Sequence, residues 1–425
     1  MFTGLLIAFA LTQVPTELQN YLALPAPEFR WTVVRRDGDR TDLSVLSHAW
    51  HGHTMRHGVS VLRPSKDDHP GVAMLIVTGG DVNEKDVAEA RTLARESGMV
   101  VATVFDIPNQ PLFGEREDGL IATTFVKFLE TGDATWPLLF PMVKGTLHAM
   151  DAVEQWSETG RPALRKFVVT GASKRGWTSW LVGASGDPRV IGIAPEVYDN
   201  LDILPQMKHQ VEAFGGYSER IGDYTSKDLI ATLETEAGQK LARMVDPLSY
   251  VSKISIPVLL VTGTNDPYWP ADAMSLYWNK LPMPKWARIL PNNGHTFQDK
   301  DLEHAALAAF ARSCAGEFAM PSVAWDLKID GEAAVASFDV DGQGMVACRI
   351  WTAGSASQDF RASVWKEAAK VQVDPPSTES GKSRPAIRFV LPAEPWKAIL
   401  AEVSYRRAGR TFSVCLPVRV VGPGA

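Results

Sequence analysis

The chain has 425 residues, of which 45% are hydrophobic and 22% are charged, and its formal net charge is −6. These proportions are typical of globular proteins, and an acidic balance without a basic stripe excludes the usual electrostatic pattern of a nucleic-acid-binding protein. A single hydrophobic core stops growing at roughly 250–300 residues, so the length predicts two domains.

An apolar run at residues 4–11 has the length of a signal-peptide core and ends in an Ala-x-Ala-like step. It is far shorter than the roughly 20 apolar residues that cross a bilayer, and no other segment is a candidate transmembrane helix. No Lys or Arg precedes Arg30, so a basic leader region is absent. We interpret residues 1–20 as a degenerate export signal, which predicts a periplasmic or secreted protein. The alternative is a frayed start of a cytoplasmic protein.

The first elements of the chain predict a sheet. Residues 28–63 contain short aromatic and β-branched runs between polar turns, which indicates an antiparallel strand pair at a sheet edge. A wholly apolar strand at 72–77 is followed by helical spacing over 84–97, with Gly98 as its stop, and by a strand at 99–104. This order of strand, helix and strand, in which both strands are wholly apolar, predicts a parallel sheet covered by helices on both faces.

The same alternation continues toward the middle of the chain. Its further elements are a helix at 141–156, a strand at 166–170, a helix at 177–183, strands at 190–194, 256–263 and 287–291, and a helix at 302–311. Residues 199–248 lose the alternation and are mostly helical in pattern. We therefore expect these residues to form a cap inserted over the sheet.

From about residue 320 the composition changes to short strands at close spacing with Asp-Gly and Ala-Gly turns. The predicted strands are 322–327, 334–340, 345–351, 386–391, 401–405 and 411–418, with a Pro- and Ser-rich loop at 370–385. This spacing predicts a small β-sandwich at 319–425, after a first domain at 21–318.

The three cysteines are Cys314, Cys348 and Cys415. So few cysteines exclude a disulfide scaffold and a cysteine-rich metal site. Cys348 and Cys415 lie in separate strand-like segments, which leaves two interpretations open. We favour two buried thiols, because free cysteine is among the most buried residue types, and the alternative is a disulfide in an exported protein.

A tight turn with a serine at its tip follows the strand at 166–170. It reads Gly-Ala-Ser over 171–173 and is followed by Gly176 and a helical pattern. This order is typical of a nucleophile elbow, in which only small side chains fit beside a serine that is pushed clear of the sheet. Arg175 occupies the position where the usual elbow has its second glycine. The first turn of the next helix must therefore make room for an arginine.

Two other candidate residues lie just beyond strand ends, Asp266 after the strand at 256–263 and His295 after the strand at 287–291. A serine nucleophile needs a base to accept its proton and a carboxylate to orient that base, and in α/β-hydrolases these follow in the order Ser, Asp or Glu, His. Each residue alone has an ordinary explanation as a turn, a helix cap or a surface histidine. The order and the placement together predict a catalytic triad of Ser173, Asp266 and His295.

An oxyanion hole is expected from the backbone N–H of Lys174, the residue after the nucleophile, and from a second N–H in the loop after the strand at 72–77. Gly80 or Asp81 is the expected second donor. The alternative explanation of this loop is a tight exit from the strand.

Lys174 and Arg175 flank the nucleophile, so an anionic substrate such as a carboxylated sugar ester is one expectation, with Arg175 as a binding residue. The alternative is that Arg175 pairs internally with an acid such as Glu196 or Asp199. Three aromatic residues are expected to shape the substrate pocket beneath the cap: Tyr198, Tyr217 and Trp269.

Four of the nine histidines fall within ten residues, at His48, His51, His53 and His57. Alternate histidines on a strand are able to ligate a metal, but no nearby Asp, Glu or Cys completes a site. We therefore predict neither a metal nor another cofactor, and interpret these histidines as part of a polar strand or loop.

Several segments together carry a family pattern: 131–144, 171–177, 195–200, 263–266, 293–295 and 358–361 with Trp365. In these segments the chain resembles the PhoPQ-activated pathogenicity-related protein family. The resemblance implies an α/β-hydrolase fold, export in bacteria and a serine hydrolase site of unsettled substrate on Ser173, Asp266 and His295.

The first functional hypothesis is a hydrolase of an ester or amide that acts on a small molecule or peptide through an acyl-enzyme intermediate. The second is an exported binding or virulence-associated protein that keeps the fold without significant catalysis. The sandwich and the 13 tryptophans would then present its recognition surface.

Overall fold

The computed structural model describes residues 14–158, 162–373 and 381–423. The apolar run at 4–11 of the expected export signal at 1–20, and the centre of the expected loop at 370–385, lie outside these residues, whereas helix Glu17–Leu22 begins within the expected signal. Across the described ranges, no helix combines the length and apolarity needed to cross a membrane.

The strands and helices are numbered in chain order. The strands are β1 (Arg30–Asp37), β2 (Arg40–Trp50), β3 (His53–Leu62), β4 (Val72–Val77), β5 (Val100–Val104), β6 (Lys166–Ala172), β7 (Val190–Glu196), β8 (Val258–Gly263), β9 (Lys285–Leu290), β10 (Val323–Asp330), β11 (Ala333–Asp341), β12 (Met345–Ser355), β13 (Lys366–Gln372), β14 (Lys382–Ser383), β15 (Ala386–Val390), β16 (Trp396–Arg407), β17 (Arg410–Cys415) and β18 (Arg419–Val421). The helices are α1 (Glu17–Leu22), α2 (Glu84–Ser97), α3 (Glu117–Thr131), α4 (Leu139–Ser157), α5 (Lys174–Ala184), α6 (Ile203–Phe214), α7 (Gly222–Thr225), α8 (Leu229–Thr232), α9 (Glu236–Val245) and α10 (Lys300–Cys314).

One large mixed sheet organises the molecule, in the order β1-β2-β3-β5-β4-β6-β7-β8-β9-β17-β16-β12-β13, with β18 beside β16. Strands β5, β4, β6, β7, β8 and β9 are parallel, whereas β1, β2 and β3 form an antiparallel meander at the edge. The meander has three strands where the sequence predicted a pair. The carboxyl ends of the parallel strands meet at one edge, where the turns after β4, β6, β8 and β9 lie close together.

Alternate residues of the central strands face different helical layers, which is why these strands are apolar throughout. Leu75 and Val169 belong to the core beneath α3, α4 and α5. Met74 and Val168 belong to the core beneath α2 and α10. The sheet is thus covered on both faces, as its composition predicted.

Local signals place α2 as predicted. The Asn83 side chain caps its first turn by accepting a hydrogen bond from the Asp86 N–H, and Gly98 ends it in the left-handed conformation at φ 67°. Helix α3 was missed at the sequence level, although it buries Leu120 and Phe128 with helical spacing.

Residues 199–248 contain α6 to α9 and short 3₁₀ turns, in agreement with the expected helical cap between β7 and β8. Side chains of this segment join the main core, among them Ile203, Leu241 and Val245. The cap is therefore packed onto the body of the protein.

The C-terminal strands form two sheets. Strands β10, β11, β14 and β15 make a small sheet, while β12, β13, β16, β17 and β18 extend the large one. The extension runs through β17, whose Cys415 pairs with Ala287 of β9, and it covers what would otherwise be an open strand edge. Because pairing to β9 is a long-range event, the sequence predicted a separate sandwich and did not reveal the shared sheet. It also missed β13 and β14 at the borders of the expected loop.

The junction between β9 and the C-terminal strands is charged and buried. Arg288 Nη1 lies 3.2 Å from Glu402 Oε2, and both side chains are almost wholly covered. Cys415 and Cys348 are free and buried, as the favoured interpretation of the cysteines has it.

The four clustered histidines diverge. His51 stacks on Trp136 with ring centroids 3.7 Å apart, and His53 stands against Phe113 at 5.1 Å. No group of three His, Cys, Asp or Glu side chains within the described residues is arranged to hold a metal ion.

His48 and His57 are buried instead, close to His148 of α4. The Ser47 hydroxyl lies 2.8 Å from Nδ1 of both His48 and His148. Burial lowers the pKa of His48 to about 3 and the pKa values of His57 and His148 to about 4. These three rings are therefore neutral in the folded protein near pH 7.

A pH-dependent stability follows from these neutral rings. An unfolded histidine has a pKa of about 6.5, so the unfolded chain takes up protons first as the pH falls, and the folded state loses stability between pH 6.5 and 4. We expect the free energy of unfolding to fall by roughly 1–2 kcal/mol more between pH 7 and pH 5 in the wild type than in His48→Gln. Urea unfolding at the two pH values measures this difference.

The control is Thr54→Gln, which places the same glutamine at an exposed position of the same hairpin that does not titrate and should keep the wild-type pH dependence. Equal pH dependence in wild type and His48→Gln would contradict the assignment of a neutral, buried ring.

Candidate active site

The turn between β6 and α5 has the geometry of a nucleophile elbow. Ser173 adopts φ 60° and ψ −124°, a strained conformation for a residue with a side chain. Its N–H donates to the Glu196 carbonyl at 2.8 Å. A Cβ on Gly171 would lie 2.9 Å from the Val77 carbonyl oxygen, and one on Gly176 would lie 2.6 Å from the Glu196 carbonyl oxygen. Only glycine fits at both positions. The second glycine that the elbow requires is thus Gly176, one residue later than in the usual elbow.

Arg175 takes the place of the usual glycine because its neighbours accommodate it. Its guanidinium lies against Gly79, where an added Cβ would fall 1.4 Å from Nη2. Its Nε donates to the Ile107 carbonyl at 2.7 Å, and Nη1 and Nη2 donate to the two carboxylate oxygens of Glu117 at 2.6 and 2.9 Å. The arginine is therefore held on three sides at the mouth of the loop after β4.

Lys174 shares the same acids. Its Nζ lies 2.9 Å from Glu117 and 3.1 Å from Asp118. Partial burial raises the pKa of Glu117, but the hydrogen bonds and charges of Arg175 and Lys174 outweigh this effect and hold its pKa far below the usual range. The two cations beside the nucleophile are thus balanced by two carboxylates.

The acids that the sequence offered as partners for Arg175 lie elsewhere. Glu196 accepts a hydrogen bond from the Thr170 hydroxyl at 2.7 Å, and burial raises its pKa well above the usual value. Asp199 accepts a hydrogen bond from the Tyr277 hydroxyl at 2.5 Å, and burial raises its pKa to about 7. The internal partner of Arg175 is Glu117, to which no sequence motif pointed.

The loop after β4 is tied into the same network. Gln110 Nε2 donates to the Gly79 carbonyl at 3.0 Å, and the Gln110 amide oxygen accepts from the Glu117 N–H at 2.8 Å. The Gly80 carbonyl accepts from the Asp106 N–H at 3.0 Å. These contacts hold the loop in which the second oxyanion donor was predicted.

The two predicted second donors, Gly80 and Asp81, are exposed at this loop. Burial and the nearby Asp81 raise the pKa of Asp106 to about 6. The N–H of Lys174 is in the first turn of α5, where a helix offers no intrahelical acceptor. This N–H is thus available to a ligand at the elbow.

The structure brings Asp266 and His295 together. Asp266 is 3% exposed, and its Oδ2 lies 2.8 Å from His295 Nδ1 while its Oδ1 accepts from the Tyr268 N–H at 2.8 Å. The turns that carry the pair approach closely, because a Cβ on Gly263 would fall 2.2 Å from the Asn293 carbonyl oxygen. Nε2 of His295 is buried and has no hydrogen-bond partner among the described residues. The carboxylate thus orients the ring and leaves the opposite nitrogen free to accept a proton.

An apolar cavity of about 780 Å³, including its open mouth, lies against Ser173 and Lys174 beneath the cap. Tyr198 and Trp269, two of the three aromatic residues predicted to shape the pocket, line it. The third, Tyr217, is 47% exposed and is not a lining residue, and neither is Arg175.

Sequence reasoning missed several lining side chains: Asp118, Phe125, Trp177, Tyr224 and Tyr268. The helical spacing of α3 would have revealed the first two. Trp177 lies one turn after Ser173 in the elbow helix, a signal that was visible in the sequence. The remaining two are placed by the cap and by the turn after β8.

Residues 18–361 match the family model described as PhoPQ-activated pathogenicity-related protein, which confirms the resemblance found in the sequence. Autocrine proliferation repressor protein A of Dictyostelium discoideum is 28% identical to the chain, and the alignment covers 94% of this chain and 88% of that protein.

The fold is shared with a solved structure. Acetyl xylan esterase 1 from Thermoanaerobacterium sp. JW/SL YS485 has a TM-score of 0.51 and 16% identity, covering 71% of this chain and 94% of its own. An acetyl xylan esterase from Paenibacillus sp. R4 has a TM-score of 0.49 and 14% identity, covering 70% and 90% respectively. The predicted α/β-hydrolase fold is confirmed, and function has to be argued from the site itself.

The ion pair between Glu117 and Arg175 predicts that the protein is less stable when Glu117 is replaced. The Arg175 side chain is largely buried, so removing Glu117 leaves its guanidinium without the carboxylate that balances it, but Glu117 is itself 41% exposed and solvent screens part of the interaction. We expect Glu117→Ala to lower the free energy of unfolding by roughly 2 kcal/mol in urea titrations followed by tryptophan fluorescence.

The matched control is Glu115→Ala. Glu115 is exposed to a similar degree but pairs with Lys227, which is itself more exposed than Arg175, so the loss should stay within about 1 kcal/mol. Similar losses for the two variants would show that the Arg175 pairing contributes no special stability.

Proposed function

The chain belongs to the PhoPQ-activated pathogenicity-related protein family, and we propose that it is a serine hydrolase that cleaves an ester or amide bond. The observation that carries the proposal is the arrangement at the carboxyl ends of β6, β8 and β9. Ser173 stands at the tip of a strained elbow, and His295 is oriented by the buried Asp266 with its second nitrogen free. These are the groups that acyl transfer to a serine requires.

In the first half of the proposed reaction, Ser173 Oγ attacks the substrate carbonyl carbon while His295 Nε2 takes its proton. Asp266 stabilises the resulting imidazolium through Nδ1–H. The tetrahedral oxyanion receives a hydrogen bond from the Lys174 N–H and a second one from the loop that contains Gly80 and Asp81. The intermediate collapses, the leaving group departs with the proton from His295, and an acyl-serine remains.

In the second half, water attacks the acyl-serine while His295 again takes the proton. Collapse of the second tetrahedral intermediate breaks the bond to Ser173 Oγ, and His295 returns the proton to the serine. The acid product leaves, and every group is restored. Asp266 is held in place by its hydrogen bonds to the N–H of Tyr268 and to the imidazole.

Labelling of the nucleophile tests the proposal directly. A fluorophosphonate probe should label the purified wild type and fail to label Ser173→Ala, because only an activated serine reacts with it. Ser185→Ala, which changes a half-buried serine at the other end of α5, should label like the wild type. Absence of labelling in the wild type, or labelling that survives in Ser173→Ala, would overturn the proposal. The former would favour the exported binding protein without significant catalysis.

Asparagine substitutions test the role of Asp266, and a second Asp–His pair, Asp272 with His209, provides the control. Asp272 lies 2.7 Å from His209 Nε2, much as Asp266 lies 2.8 Å from His295 Nδ1. We expect Asp266→Asn to lower kcat on p-nitrophenyl acetate by about 10³–10⁴-fold, because the amide favours the wrong imidazole tautomer. Asp272→Asn should change kcat by less than about threefold, because Asp272 orients His209, and neither residue belongs to the triad or lines the cavity. Equal effects of the two changes would show that Asp266 only stabilises the fold.

A further inference from the structure

The wall of the cavity nearest Ser173 is aromatic. Trp177 and Tyr198 stack with ring centroids 4.9 Å apart, Phe125 meets Trp177 edge-on at 6.0 Å, and Trp269 meets Tyr198 edge-on at 6.4 Å. The four rings form one continuous surface beside the nucleophile.

Two polar atoms of the lining residues are bonded within the protein: Trp177 Nε1 donates to the Val245 carbonyl at 2.6 Å, and the Tyr224 hydroxyl donates to Asp118 at 3.0 Å. The Tyr198 hydroxyl and Trp269 Nε1 are buried and have no hydrogen-bond partner among the described residues. The surface that a bound group would meet is therefore mostly ring carbon.

The far side of the cavity is aliphatic and comes from the cap. Ile203 and Met207 of α6, Leu233 after α8, and Leu241 and Ala242 of α9 line it. An apolar group that enters from Ser173 is thus surrounded by carbon on both sides, and each buried methylene gains free energy without a polar partner.

Charge near the nucleophile does not favour an anion. Lys174 Nζ is the cation that lines the cavity, and it is already paired with Glu117 and Asp118. Arg175 is paired with Glu117 and lies outside the lining. A substrate carboxylate would have to compete with two protein carboxylates and lose its hydration in an apolar space. The anionic substrate that the sequence suggested is therefore not supported.

The position of His295 bears on which part of the substrate the cavity receives. A leaving group must stay within reach of His295, which protonates it. His295 does not line this cavity, whereas Tyr268 does, and the ring centroids of Tyr268 and His295 lie 4.1 Å apart. A group that fills the cavity is therefore attached to the carbonyl carbon rather than to the leaving atom.

We propose that this cavity binds the uncharged, apolar acyl group of the substrate, so that the preferred substrates are esters or amides of medium-length alkyl or aryl carboxylic acids. The inference rests on the proposed function, since it assigns the acyl specificity of the same site.

A series of p-nitrophenyl esters from acetyl to hexanoyl tests it, since the leaving group stays constant. We expect kcat/KM to rise about three- to fourfold per methylene, which corresponds to about 0.8 kcal/mol per buried methylene. The adipoyl monoester has the same carbon count as hexanoyl but ends in a carboxylate, and it should react about 100-fold more slowly. Acetate esters of ethyl, butyl and hexyl alcohols should differ by less than about twofold per methylene.

The same substitution at two positions of α9 distinguishes the effect of filling the cavity from the effect of changing the helix. Ala242→Phe fills the aliphatic end and should lower the ratio of kcat/KM for the hexanoyl ester to that for the acetyl ester by about tenfold or more. Ala237→Phe, on the exposed face of the same helix, should keep the wild-type profile. Thermal unfolding of both variants confirms that they are folded.

A flat or falling acyl series, a rise with the alcohol series instead, or equal rates for adipoyl and hexanoyl esters would each overturn the inference. If fluorophosphonate still labels Ser173 in those cases, the serine hydrolase proposal stands and only the acyl assignment fails. If labelling is also absent, the proposed function fails with it.

Discussion

The close approach of three strands and a helix at Ser173 is the constraint on which the rest of the site depends. The elbow leaves no room for a side chain at Gly171 or Gly176, because the carbonyl oxygens of Val77 and Glu196 occupy that space. The backbone of Ser173 adopts a conformation that would be unfavourable in a free loop, and the packing of β4, β6 and β7 holds it there. The nucleophile, its helix and the neighbouring loop are thereby positioned together.

Arg175 shows how the structure compensates for a departure from the usual elbow. The missing side chain of Gly79 leaves the space that the guanidinium fills, and Glu117 supplies the opposite charge. One side chain therefore ties α5, α3 and the loop after β4 to each other. The same pairing, with Asp118 and Lys174, cancels the positive charge at the nucleophile. The charge balance beside the nucleophile therefore depends on how Arg175 packs against Gly79 and Glu117.

Local sequence patterns predicted much of the fold. The helical spacing of α2 with its stop at Gly98 and the continuous apolar run of β4 predict their elements to the residue, because periodicity, helix termination and burial act over short stretches. The candidate triad could also be proposed from the sequence, since each member lies in the turn that follows an apolar strand. Helix α3 was missed although its apolar spacing is regular, and with it the positions of Phe125 and Asp118 in the cavity.

By itself, the sequence determined the α/β-hydrolase sheet, the helical cap and the order of Ser173, Asp266 and His295, because periodicity and turn chemistry are encoded over short stretches. Only the tertiary structure decided which acid receives Arg175, that β17 extends the sheet at β9, and that the cavity wall presents carbon. Glu117 is 58 residues from Arg175, and several acids were equally available along the chain. The choice among them depends on which loops the packed sheet brings together, and that is a property of the folded whole.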